Sequence, residues 1–345
     1  MTRSETLKGL LASVATAAVI AVPATGQAAE EPGAGTTVKM ARATWDTGWF
    51  QAEVYKQLLQ ELGYEIPRMT TLDNPPFYKS VAQGDMHLWV NGWFPLHDSY
   101  ASDFQDGAEK VGYTAKGGAI QGYLVDKETA NELNITSIQD FKRDEVKKAF
   151  DKDGNGKADL VACPPGWGCE KTISHHMEAY DLKPHVDPIK ASYSASMADA
   201  MGRYKSGKPI FFYTWTPNWT VGLLKPGKDV VWITVDETRH PDESVTEAET
   251  TVEGLEGCVK DPCNLGWVAN DIRPVANSAF LDENPAVETL LNKVSIPIAD
   301  IFAQNAKMND GEDSKQAVRK HAETWIADNR DKVDAWLQAA REAAM

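Results

Sequence analysis

Apolar and polar positions recur along this chain with two periods, and the period switches repeatedly. Residues 36–44 (TTVKMARAT) alternate with a period of two and are β-rich, which predicts a strand. Over residues 51–62 the apolar Val54, Leu58, Leu59 and Leu62 fall on one helical face, and Gly63 ends the helix. Strands follow at residues 64–66 and 86–90, with a short helix near Val81 between them, and another strand at 117–125. Strand and helix alternate, which predicts an α/β lobe with a largely parallel sheet.

The central stretch repeats the alternation. A strand near Leu160 precedes helices at 171–182 and 195–206, and strands follow at 209–214 and 230–235. Residues 236–266 are acidic and irregular. A strand at 272–276 then leads into a helix capped by Asn284 with Pro285 at its first position. Two terminal helices, 314–328 and 331–344, carry Trp325 and Trp336 at core-like spacing. The expected architecture is two α/β lobes. One is discontinuous, from residues 36–120 and 268–345, and the second, 121–267, is inserted into it.

The first residues change where this fold is expected to work. Arg3 and Lys8 precede an apolar run over residues 10–22, and small residues follow at Gly26, Ala28 and Ala29. That is the pattern of a signal peptide over residues 1–29, too short to span a bilayer. A buried core helix is the alternative, but Glu30, Glu31, Pro32 and Gly33 offer it no folded continuation. Export to the periplasm and a soluble, monomeric mature protein are the expectation. A net charge of −15 and the lack of basic stripes argue against nucleic acid as a partner. In an oxidising compartment the four cysteines read as two local disulfides, Cys163 with Cys169 and Cys258 with Cys263. Zinc is the rival, and neither spacing nor nearby histidines fit it.

Three tryptophans stand in unusual surroundings. Trp93 and Trp215 each follow a predicted strand, and Trp167 lies in the rigid turn Cys-Pro-Pro-Gly-Trp-Gly-Cys. Ligands of α/β lobes bind beyond the carboxyl ends of strands, where a cleft is expected. Any one of these indoles could simply be core, but the set suggests display. The other eight tryptophans, Trp45 among them, read as packing. A cage of indole faces suits a quaternary ammonium, which has no N–H to donate and is drawn to the negative ring faces. A zwitterion needs a second pole; His97 lies four residues beyond Trp93, and the Gly168 and Cys169 amides could form a small anion nest.

The segments Trp93–Asp98, Pro165–Glu170 and Phe212–Pro217 resemble those of the ProX-type periplasmic glycine betaine-binding proteins of ABC osmoprotectant importers. Flanking strings at 119–124, 225–232 and 299–306 carry the resemblance along nearly the whole mature chain. It implies a two-lobed, type II-like solute-binding fold with glycine betaine or proline betaine in the inter-lobe cleft. It also implies a membrane permease as partner and no catalysis. By the same resemblance, Trp93, Trp167 and Trp215 box the methylammonium, while His97 and the Gly168 and Cys169 amides take the carboxylate. The Cys163–Cys169 disulfide would then fix the loop. The chain departs from the pattern at Phe94, where threonine is expected, and across residues 236–266.

Residues 151–159 (DKDGNGKAD) begin like a calcium loop, with Asp151, Asp153, Asn155, Lys157 and Asp159 at the ligand positions. Ala162 stands where a bidentate glutamate belongs, so a solvated Asx-turn loop is the plainer reading. No cofactor is required on either account, and any calcium would be structural. A secreted, calcium-stabilised hydrolase and a binder of choline or another methylated amine are the competing functions. No hydrolase motif supports the first.

Overall fold

The computed structural model describes residues 31–345, so the leader read at 1–29 lies outside the described residues. Two main sheets organise the molecule. In the first, the strand Asn270–Asn277 is central and pairs with Leu88–Phe94, Ala108–Lys110 and Ala115–Ala119, antiparallel in every case. Among the described residues, parallel pairing there is limited to the Thr37–Glu65 and Met40–Leu88 bridges and the small ladder between Ala41–Ala43 and Thr70–Leu72. The largely parallel sheet expected for this lobe is therefore not what forms. Strand–helix alternation predicts parallel neighbours only when consecutive strands pair. Here the central strand comes from a distant part of the chain and enters in the opposite sense.

The second sheet has the order Val230–Ile233, Gln121–Asp126, Phe211–Trp215, Ala158–Val161, Val186–Ile189. Its first two pairings are antiparallel and its last two parallel. Every residue of the first three of these strands is buried, as expected for strands covered on both faces. The acidic segment adds a short helix, Glu247–Thr250, and a two-stranded ladder closed by the Cys258–Cys263 disulfide.

The single strand expected at 117–125 is in fact two, because the chain changes sheets at Ile120. Gly117 and Gly118 both have positive φ, 67° and 73°, a conformation open to glycine at little cost. Asn270 pairs with Ala119, so the outward and return crossings run side by side. The expected strand at 64–66 shrinks to a bridge between Glu65 and Thr37, and the regular pairing starts later, at Thr70. Helices complete the first half of the molecule. Trp49–Glu61 packs on Lys315–Asp328, and Pro285–Lys293 on Arg330–Ala343. Among the described residues, no helix is long and apolar enough to cross a membrane.

Candidate functional site

The three displayed tryptophans, His97, Gly168 and Cys169 all line one cavity between the two sheets. Trp93 stands near the end of the wholly buried strand Leu88–Phe94, and a 3-10 turn, Leu96–Tyr100, then folds His97 back beneath it. Trp215 ends the strand Phe211–Trp215 of the other sheet. Trp167 caps the helix Gly168–Ala179, and the Cys163–Cys169 disulfide closes the turn that carries it, with 6.1 Å between the Cα atoms. The Trp167 ring meets Trp215 edge-to-face at 5.7 Å. The walls stand close together, and the cavity between them is only about 30 Å³, room for little more than water in this arrangement.

Contacts across the cavity hold its two walls together. Trp167 Nε1–H donates to Thr44 Oγ1 at 2.9 Å, and Thr44 in turn donates to Asp73 at 2.5 Å. The Asn74 N–H reaches the Gly166 carbonyl at 3.3 Å, and Lys171 Nζ sits 3.6 Å over the Tyr100 ring. Gly168 and His97 nearly touch, since a Cβ at Gly168 would stand 2.9 Å from His97 Cδ2.

The site sets a helix N-terminus and a neutral histidine beside a box of indoles. Gly168 and Cys169 open a 12-residue helix, where first-turn amides lack intrahelical acceptors and the helix dipole favours negative charge. His97 is 2 % exposed. The Trp93 N–H donates to its Nδ1 at 3.2 Å, so the neutral ring carries its proton on Nε2. Nε2–H then donates to Asn74, whose side-chain amide lies 3.0 Å away and turns its oxygen to the ring, and the Tyr78 hydroxyl lies 2.8 Å from Nδ1. Burial first, and then the Lys171 ammonium, hold His97 down to about 3. It is a hydrogen-bond donor at neutral pH, and not a cation.

His176, on the same helix as Gly168, is also held down to about 3 by burial, with His175 and His240 adding to it. A histidine depressed in the folded state is protonated first in the unfolded chain, near pH 6.5. Stability is therefore complete above about pH 6.5 and is lost progressively as the pH falls toward 3. The thermal midpoint is expected to drop between pH 7 and 5, before most carboxylates titrate, and His176→Gln to flatten that slope. A midpoint constant over this range would contradict the buried neutral pair.

Sequence reasoning missed other residues of the cavity. Trp45, read as packing, lines it just past the strand Ala41–Ala43; the position beyond a strand end was the available signal. Tyr213 shares a strand face with Trp215 two residues on, and donates to Gln121 Oε1. Gln121 opens the strand beyond the sheet crossing, a place no local pattern marks.

The 151–159 loop lies elsewhere. It precedes the strand Ala158–Val161, whereas the tryptophan turn follows that strand, so loop and cavity sit at opposite ends of it. Carboxylate oxygens of Asp151, Asp153 and Asp159 lie within 4.8 Å of one another. The loop also closes on itself. Asp151 accepts the Gly154, Asn155 and Gly156 N–H groups, and Asn155 Oδ1 accepts the Lys157 N–H at 2.8 Å.

Residues 36–328 match the family described as the substrate binding domain of the ABC-type glycine betaine transport system. The chain is 38% identical over 323 residues to the glycine betaine/proline betaine-binding periplasmic protein of Salmonella typhimurium, covering 93% of this chain and 95% of that protein. It is likewise 38% identical to the glycine betaine-binding periplasmic protein OusX of Dickeya dadantii, with 96% and 98% covered. Among solved structures it resembles lactococcal OpuAC, closed on glycine betaine, with a TM-score of 0.65, 21% identity, and 88% and 99% covered. An ABC-transporter choline binding protein in complex with choline gives 0.67, 21%, and 89% and 96% covered. These two structures share the two-lobed α/β binding-protein fold. The match along residues 36–328 and the near full-length identity place this chain in the family of substrate-binding domains of ABC-type glycine betaine transport systems.

Proposed function

We propose that this chain captures glycine betaine, and proline betaine as a close analogue, in the periplasm and delivers it to the permease of an ABC importer. The reading has the chain act as a monomer and catalyse nothing. The carrying observation is one cavity that joins Trp93, Trp167 and Trp215 to a helix N-terminus and a neutral His97. Ring faces attract a trimethylammonium that cannot hydrogen-bond. The Gly168 and Cys169 amides suit a carboxylate, and His97, its nitrogens held by Asn74, Tyr78 and Trp93, stands against Gly168 as the neutral wall beside them. The hydrolase alternative gains no support, since all four cysteines are in disulfides and His97 is too weak a base for acid–base work near pH 7. Calcium enters only as an optional structural ion in the 151–159 loop, far from the binding step.

Calorimetry of the purified protein against methylated amines tests this. Choline keeps the cationic head but offers a hydroxyl to donors built for a carboxylate. Unmade polar contacts in a desolvated site cost about 1–3 kcal/mol each, so choline should bind at least about tenfold more weakly than glycine betaine. Glycine, with a strongly hydrated ammonium, should barely bind, and a chelator should leave the betaine affinity unchanged. Choline matching betaine would sink the carboxylate half of the reading.

A further inference from the structure

The cavity holds a fourth indole besides the three displayed ones. Trp45 lines it, is 6 % exposed, and meets the Trp167 ring edge-to-face at 5.4 Å. Its Nε1–H donates to Asn91 Oδ1 at 2.6 Å, and the same oxygen accepts the Trp93 Nε1–H at 3.0 Å. An amide oxygen has two lone pairs, so both are committed to indoles. Asn91 lies within the buried strand Leu88–Phe94 and is itself buried, so the clamp rests on a rigid element. Gly48 makes room for it; a Cβ there would stand 3.0 Å from the Asn91 amide and 3.3 Å from Trp45 Nε1. An indole serving only as filler has no need to share its acceptor with a wall of the cavity.

We infer that Trp45 is a further aromatic wall for the ligand's cationic head, and that Asn91 is the positioning residue that sets Trp45 and Trp93 together. This rests on the betaine reading above.

The test is calorimetric titration of the full mature chain with glycine betaine and with tetramethylammonium, which has the cationic head and no carboxylate. Trp45→Leu keeps apolar volume without a ring face, and should weaken both ligands by a similar factor, at least about tenfold. Trp45→Phe should lose roughly threefold. Asn91→Leu, which removes the shared acceptor, should weaken both at least about fivefold while unfolding remains cooperative. Wild-type binding of betaine that survives Trp45→Leu intact overturns this inference alone. Absence of betaine binding by the wild type overturns the betaine reading and this inference with it. Where Trp45→Leu does not fold, Trp45→Phe decides, and an unchanged affinity in it refutes the role.

Discussion

Trp167→Ala is expected to weaken glycine betaine binding by at least tenfold to a hundredfold, the largest loss among the tryptophan variants. A desolvated indole face is worth about 2 kcal/mol to a quaternary ammonium, and each 1.4 kcal/mol is about a factor of ten. Trp167 does more than present a face. It stands edge-to-face with both Trp45 and Trp215, and its N–H reaches Thr44 across the cavity. Alanine removes the wall and this cross-cavity bond together. Trp215→Ala removes only a wall, so its loss should be smaller, and Trp167→Phe should fall between native and alanine. The thermal midpoint of the unliganded protein gives the control, because Trp167 sits in a disulfide-closed turn at the cavity edge. Unchanged affinity in Trp167→Ala and Trp215→Ala alike would remove the aromatic box from the account.

Gly168→Ala should cost roughly tenfold to a hundredfold in betaine affinity while leaving the free protein as stable as before, or slightly more so. Gly168 has no positive φ and opens a helix, so alanine suits its backbone. The obstacle is lateral. Its new methyl would stand 2.9 Å from His97 Cδ2 and 3.1 Å from the Leu96 side chain. His97 cannot swing aside cheaply, with Trp93, Tyr78 and Asn74 holding its two nitrogens. Overpacking of this kind costs about 1–3 kcal/mol, and it acts only when the two walls meet. Affinity should fall without loss of thermal midpoint, and small-angle scattering should show incomplete compaction on adding betaine. Native affinity in this variant would mean that Gly168 and His97 separate when the ligand is bound.

The sequence by itself determined whatever rests on short-range pattern. Helices such as Trp49–Glu61 and Pro285–Lys293 follow from apolar periodicity and from a proline at the first position. Both disulfides form within pairs five and six residues apart, so spacing alone suggests them. Trp93, Trp167 and Trp215 could be singled out because each neighbours a strand end or a constrained turn, a local feature.

Tertiary structure decided what depends on residues far apart in the chain. No local pattern shows that Asn270–Asn277 would enter between earlier strands and make their sheet antiparallel. Nor could periodicity tell that the run from Gly117 to Val125 breaks at Ile120, because both pieces are strand and only their partners differ. Trp45 shows the same limit at the site. Beside Ala41–Ala43 it looks like any packing tryptophan. It becomes a cavity wall only because Asn91, 46 residues away from it, accepts its N–H, and Trp167, 122 residues away from it, stands against its ring. Propensity and periodicity act over a few residues, whereas the direction of a pairing and the far wall of a cavity are set by segments that meet only on folding.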